Sequence, residues 1–492
     1  MQRFRQTLPT THVACCALRV RPERHTPKTG AIVDDAFLLE NGSVIDGAGN
    51  APFAAAVLVE GDCITALGND ALMRVQHQQH ARRIDVSGMT VMPGLIDAHC
   101  HLSFDDAASN PEIFYLRRNA LSALVAAYNA KKLLRAGVTG ILDPDSIFEN
   151  MVDVRDAIEA GIAEGPRISC GCYALITGAG GTAGRLINDT GVTGYYKVVQ
   201  GKDEIVAEVR RQVKVGADWI KVHVSGIVPR YAHLGERCSW TQEELDLICN
   251  LAHDMGVPVM AHCRGTVSSY RAAKAGVDLI FHGTGMDERT SELVIERKIP
   301  VCPTFTFQAN MVDYGHRLGT DPAFVKLFER EITDSTESMR RLHAAGVPLL
   351  AGSEAGFSMV PYGHWHFREM EVFMRYYGMS SLQAIHSATG AGAFALKMAG
   401  RTGVIAAGMK ADILVVNGDP SLDVRILGEP GRIKQVFVDG RAADLSPLPD
   451  RKPISGWRLP SMGQQLTRDF ALGQTANGQP ATGAAGERIE EL

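Results

Sequence analysis

Between Gly94 and about Gly390, short apolar runs alternate with stretches whose apolar residues recur near every 3.6 positions, and this alternation leaves few folds open. The runs are LIDAHCHL, GVTGILDPDS, PRISCGCYALI, DWIKVHVSG, VPVMAHC, DLIFHGTG, IPVCPTF and VPLLAGSEAG, eight strand candidates that close on polar residues. Helical sequence such as QEELDLICNLAHDMG and TSELVIERKI lies between them. Repetition of strand and helix builds a parallel sheet. Eight repeats fit an α/β fold of the (β/α)8 TIM-barrel kind. An open doubly wound sheet fits less well, because no GxGxxG turn follows the first strand.

The flanks read differently. FLLENGSVIDG, AAVLVEGDCITALG and RRIDVSGMTVMPG before the repeats are β-type runs broken by Asn-Gly and Glu-Gly-Asp turns, and GVIAAGMKADILVVNGDP and RIKQVFVDGRAA resemble them after the repeats. A barrel over 94–395 is therefore expected to be inserted into a small discontinuous β-sandwich built from 37–93 and 396–445. Residues 1–36 read as a loosely ordered extension. The Pro-, Gly-, Gln- and Thr-rich residues 446–492 read as a tail.

Composition narrows the class of function. The chain has 492 residues, 45% hydrophobic and 21% charged, with a formal net charge of -5 and no long run of one sign. Nothing there calls for nucleic acid or an anionic membrane surface. No apolar run approaches the roughly 20 residues of a membrane span, and HVACCALRV is too short for a secretory signal. The ten cysteines form no CxxC pair or regular framework, as expected of reduced thiols in a cytoplasmic protein.

Barrel enzymes carry their chemistry at the carboxyl ends of the strands. His99 and His101 close the first run, and residues two apart on an extended segment face the same side. Lys221 lies inside DWIKVHVSG on the face of His223 and Ser225, where a buried ammonium is costly unless neutralised or chemically changed. His262, His282 and Glu354 close three later runs. Imidazole and carboxylate at successive strand ends suit zinc or a similar divalent ion.

The PGLIDAHCH motif, the GADWIKVHVSG strand, single histidines on the fifth and sixth strands, an acid on the eighth and the later HSATGAGAFAL…GVIAAGMKADILVVNGDP together resemble the amidohydrolase superfamily from about Phe37 to Asp444. The similarity is to its imidazolonepropionase-like branch, which includes Xaa-Pro dipeptidases, ochratoxin-type amidases and herbicide hydrolases. GFSMVPYGHWHFREME is similar to the last group. The resemblance implies two divalent ions, zinc with manganese or cobalt as alternatives, one at His99 and His101 and one at His262 and His282. It further implies that Lys221 is carboxylated by carbon dioxide and bridges them, and that a metal-bound hydroxide attacks a carbonyl carbon. Glu354 would move the proton to the leaving nitrogen, and His223 could help polarise the carbonyl oxygen. A small-molecule substrate and a homo-oligomer are implied as well.

Departures from the relatives mark where this chain differs. Glu354 stands where they carry Asp, Thr182 follows Gly180-Gly181 where they often carry His, and position 223 is often apolar in them. His223 is thus a pocket group or a packed imidazole. Asp143 is expected to support a ligand histidine, whereas the DPD turn alone accounts for Asp145. Tyr362, His364, Trp365, His366, Phe305 and Phe307 are expected to line the pocket, and Arg230 or Arg264 to hold a substrate carboxylate. The expected reaction is hydrolysis of an amide, urea or carbamate C–N bond, with an aromatic amide or phenylurea favoured over Xaa-Pro or N-acyl amino acid substrates. A heterocycle deaminase fits less well, since AHCRGTV offers no acid after His262 and Lys221 is present. A metal-free scaffold would not retain this set of ligands.

Overall fold

A computed structural model describes residues 36–76, 81–107, 112–113, 118–181, 187–227, 236–449, 451 and 466–473. The expected extension, most of the expected tail, Thr182 and Arg230 lie outside the described residues.

The alternating region forms parallel strands with helices between them. Leu95–Asp97, Val138–Asp143 and Arg167–Cys170 make one sheet. Ala174–Ile176, Ile220–His223, Val259–Arg264, Leu279–Thr284 and Val301–Cys302 run parallel in a second, with Tyr196–Val198 and Val192–Thr193 added at its edge. Single contacts join the two sheets: Asp218 donates its N–H to Cys170 O at 2.8 Å, and Ala98 donates to Ala351 O at 2.8 Å. The run expected as the eighth strand carries isolated bridges, Val301 with Leu349 and Cys100 with Ala355, in place of a ladder. The cause is local. Gly352 presses so close that a Cβ there would lie 2.5 Å from Cys302 Sγ and 2.7 Å from His99 Cβ, and Glu354 adopts φ +60°.

Inside, Ala98, Leu142, Trp219, Met260, Leu279, Phe281, Cys302 and Leu350 form a buried apolar plug drawn from successive strands. Trp219 and Met260 lie two residues before Lys221 and His262 respectively, so the period of 2 that buries the plug lifts the polar side chains above it. The intervening helices carry conventional ends, such as the Thr241–Glu244 capping box on Gln242–Asp254 and left-handed glycines after Lys202–Val215 and Thr266–Ala275.

The flanking segments pair with each other. Met89–Pro93 lies antiparallel to Ile413–Asn417, with Val91 opposite Val415, inside a six-stranded sheet that draws on both ends of the described chain. A four-stranded sheet, ordered Cys63–Leu67, Val57–Glu60, Ala36–Glu40 and Arg82–Asp85, shares an apolar cluster with it. Phe37 stacks on Phe437 at 4.6 Å within that cluster. Among the described residues no helix is long and apolar enough to cross a membrane.

One contact between a helix and a strand gives a pH-dependent prediction. His253 Nε2 lies 2.8 Å from Asp278 Oδ2, which also accepts the N–H of Val259. The hydrogen bond to Asp278 raises the His253 pKa above its usual value. A raised histidine stabilises the fold fully below the unfolded pKa of about 6.5, and that contribution is lost as pH rises through the folded value. His253→Gln should therefore melt lower than the parent at pH 5.5 and match it above pH 8. The pair is partly exposed, so screening keeps the difference below about 1 kcal/mol. Equal melting at pH 5.5 would show that the pair contributes nothing.

Candidate active site

His99 and His101 leave the first parallel strand with their rings fixed from behind. His99 Nδ1 lies 2.9 Å from Thr304 Oγ1, and His101 Nδ1 lies 3.1 Å from the carbonyl oxygen of Asp145. With both Nδ1 atoms engaged, the two Nε2 atoms face each other at 3.2 Å. Asp97 anchors this corner. Its carboxylate accepts the N–H groups of His99 and Ser353 at 3.1 and 2.9 Å, the Ser353 hydroxyl, and His366 Nδ1 at 2.8 Å.

Lys221 is 1% exposed, and its Nζ lies 3.9 Å from Asp145 Oδ1 and 4.1 Å from the centre of the Phe281 ring. Burial pushes its ammonium pKa down, against the pull of Asp145. His223 has both ring nitrogens engaged, Nε2 with Asp145 Oδ2 at 2.7 Å and Nδ1 with the Tyr196 hydroxyl at 3.3 Å. It also stacks on His262 at 4.5 Å. The position expected to polarise a carbonyl is thus committed to holding Asp145.

His262 Nε2 lies 2.8 Å from Glu236, which also accepts the Ser225 hydroxyl at 2.8 Å. A carboxylate behind a histidine fixes the ring and its tautomer. His282 is the opposite case, for it is fully buried and neither ring nitrogen has a hydrogen-bond partner among the described residues. Its ring lies 4.5 Å from His262 and 5.4 Å from His99. Glu354 donates its backbone N–H to His99 O at 2.7 Å and keeps a partly open side chain. Burial pushes its carboxyl up to about 7.

These donors fit a divalent ion. Ligand atoms of His99, His282 and Glu354 lie within 4.8 Å of one another, and so do those of His99, His101 and Asp145. Two buried ring nitrogens without partners on His282 are the orphaned atoms that a cation would satisfy. Burial holds the histidines neutral, the form that binds metal. His101 falls to about 4 and His223 to about 3, and His99, His262 and His282 are also lowered. Three non-glycine residues here, His282, Thr304 and Glu354, have φ near +60°, a strained conformation that surrounding structure must impose.

Several residues expected at the pocket have their polar tips bound within the scaffold. Tyr362 donates its hydroxyl to His101 O, Trp365 donates Nε1 to Leu466 O at 2.6 Å, and His366 is bound to Asp97. His364 Nδ1 accepts from the Arg468 N–H at 3.4 Å, and Phe305 is buried in the main apolar core. Phe307 packs on Phe357 at 5.8 Å; Phe357 packs on Phe104, which stacks on His101 at 4.3 Å. Phe104, Phe357 and Phe307 thus form a chain of ring contacts that ends on His101. Asp143 Oδ2 accepts the Leu102 N–H at 2.9 Å. Asp145, two residues on, touches His101, Lys221 and His223. Asp145 and Glu236 went unrecognised because one reads as a turn residue and the other sits in a loop without periodicity. Arg264, expected as an anchor, is half-buried, 3.7 Å from Glu331.

Parallel strands that raise neutral imidazoles and a carboxylate above an apolar plug define a hydrolase framework of the TIM-barrel type. The chain belongs to the amidohydrolase family, whose sequence profile matches residues 90–443. Ochratoxinase from Aspergillus niger is 26% identical over 439 residues, covering 84% of this chain and 88% of that protein. A solved Xaa-Pro dipeptidase with bound methionine in its active site is 28% identical with a TM-score of 0.70, covering 83% of this chain and 99% of that one. Phenylurea hydrolase B, at 21% identity and a TM-score of 0.65 over 85% of this chain and 100% of that one, shares the fold. The protein is a metal-dependent hydrolase of C–N bonds.

Proposed function

We propose that the protein hydrolyses an amide, urea or carbamate bond in a small molecule with an aromatic group, at a centre of two divalent ions, zinc with manganese or cobalt as alternatives. The observation that carries this reading is the convergence of His99 and His101 Nε2 beside a His282 ring with no other partner. His99 and His101 would hold one ion and His262 and His282 the other, with Glu354 alongside. A divalent ion in such a site lowers the pKa of water and polarises a carbonyl oxygen. Glu354 would accept the proton of the attacking water and deliver it to the leaving nitrogen. The Phe104, Phe357 and Phe307 wall would seat the aromatic group and exclude water. A further anion to balance the ions could come from a carbamate on Lys221 or from the carboxylate of Asp145. The parallel region would complete a (β/α)8 barrel, with the two flanking sheets as its β-sandwich.

A second reading follows from Arg264. Half-buried two residues after His262, with an Nε that has no partner among the described residues, it could hold the carboxylate of an N-acyl amino acid or Xaa-Pro dipeptide. Phenylureas, carbamates, anilides and N-acyl amino acids presented to the purified enzyme discriminate the two. Turnover is expected with at least one class and should fall at least about 100-fold after chelation, returning with zinc. Full activity in chelated, metal-free protein would overturn the metal-dependent reading.

A further inference from the structure

The described residues of the C-terminal segment are bound to the active-site face. They run back along the helix Asn119–Arg135: Arg135 Nε donates to Ser446 O at 2.7 Å, and the Tyr128 hydroxyl donates to Pro449 O at 3.0 Å. Arg451 then meets Asp105, with Nη1 2.7 Å from Oδ1 and Nη2 2.9 Å from Oδ2. A planar guanidinium forked onto a carboxylate fixes direction as well as distance. The Asp105 side chain is 4% exposed, whereas that of Arg451 keeps 31% of its surface in solvent.

The loop that Arg451 holds carries the ring that stacks on His101. Asp105 and Asp106 both take left-handed backbone, φ +64° and +55°. Aspartate tolerates that conformation singly, but two in succession persist only where surrounding contacts impose them. Those contacts are the Tyr362 hydroxyl, which accepts the Asp105 N–H at 3.1 Å, Lys132, whose Nζ lies 3.1 Å from Asp106 Oδ2, and Arg451. Phe104, one residue earlier, lies flat on the His101 ring, with centroids 4.3 Å apart and planes within 2°. His101 has its own support, because its Nδ1 lies 3.1 Å from the Asp145 carbonyl oxygen. A second piece of the segment grips the facing loop. Leu466, fully buried, donates its N–H to Ser358 O at 2.7 Å and accepts from Trp365 Nε1 at 2.6 Å. Ser358 follows Phe357, whose ring packs on Phe104 at 5.3 Å.

We propose that Arg451 is a positioning residue for substrate: acting through Asp105, it sets the Phe104 ring against His101 and so shapes the seat of the aromatic group. The inference rests on the aromatic-substrate reading given above. The C-terminal segment is then part of the architecture of the active site, and its effect falls on substrate binding more than on the chemical step.

Arg451→Met, Arg451→Lys, Asp105→Asn and the double variant D105N/R451M test it, by hydrogen exchange of the full chain and by initial rates on an anilide or phenylurea. Amides of residues 102–107 should exchange about fivefold faster in R451M while those of Leu279–Thr284 stay at the parental rate, since local opening reports local contacts. KM should rise about fivefold with kcat within about twofold and zinc content unchanged. R451K should recover part of both effects, and in the D105N background R451M should add less than about twofold, because groups in contact do not act additively. Parental exchange at 102–107 in R451M, a parental KM, a loss confined to kcat, or full additivity with D105N would overturn the proposal. Thermal melts identify any misfolded variant; should the buried Asp105→Asn be one, the more exposed Arg451 and its two replacements carry the comparison. Exchange needs no substrate, so faster exchange in R451M with no aryl compound turned over by the parent overturns the aromatic-substrate reading instead.

Discussion

Glu354→Gln is expected to lower kcat/KM by about 10³-fold while leaving the fold intact. The amide keeps the size of the side chain but cannot accept a proton, and it is a poorer cation ligand. Glu354 sits with ligand atoms of His99 and His282 within 4.8 Å, and burial lifts its carboxyl to about 7. A base of that kind works only when ionised, so the parent rate should rise with pH through a limb at or below about 7, because a cation alongside draws the value down. The glutamine variant should lose that limb as well as the rate. Glu354→Asp keeps the charge but withdraws it by roughly a bond length, about 1.5 Å. A misplacement of that order costs about 100-fold, so the aspartate variant should fall between the parent and the glutamine variant. Initial rates across pH, with zinc content measured on each preparation, check both. A glutamine variant at parental rate would remove Glu354 from the reaction.

Asp97→Ala is expected to be the most destabilising single change near the site. The carboxylate, 5% exposed, collects the His99 and Ser353 N–H groups, the Ser353 hydroxyl and His366 Nδ1. Removing it strands these donors in a buried space. Each unsatisfied group costs about 1–3 kcal/mol and partial relaxation recovers some of that, which leaves about 3–5 kcal/mol. For a chain of this size, with an unfolding entropy of about 1 kcal/mol/K, the melting temperature should drop by about 3–5 °C. Asp97→Asn keeps one acceptor oxygen and should lose less. The same melts run with saturating zinc separate the scaffold from the site: a defect at His99 alone would be largely repaired by metal, whereas the loss of the Ser353 and His366 contacts would not. An alanine variant that melts with the parent would show that this network adds no stability.

The histidines at strand ends and the inward Lys221 were legible in the sequence because a strand alternates its side chains between two faces. His99 and His101, and Lys221 with His223, follow that period of 2. His282 does not follow it. Phe281 already faces the apolar plug, and the ring of His282 reaches the neighbourhood of His262 and His99 from a backbone at φ +64°. Its membership was readable as a histidine closing an apolar run, but not its geometry. The partners of the aromatic residues after the eighth run were not legible for a related reason. Tyr362, Trp365 and His366 have the composition of a pocket wall, yet each polar tip finds a backbone or carboxylate partner within the scaffold. Composition records what a side chain can do, and the partner that claims it is set elsewhere in the chain.

What the sequence determined by itself was therefore local and periodic: the alternation of strand and helix, the β-type flanks, and the polar residues that close each apolar run. Apart from Glu354, which closes an apolar run, tertiary structure alone decided which carboxylates reach the histidines. Asp143 and Asp145 are two residues apart in one turn, yet one is spent on the Leu102 backbone and the other faces His101, Lys221 and His223. Glu236 reaches His262 from a separate loop. Hydrogen bonds and ion pairs between the parallel strands and their loops depend on distances between residues tens to hundreds of positions apart, and no local period carries that information.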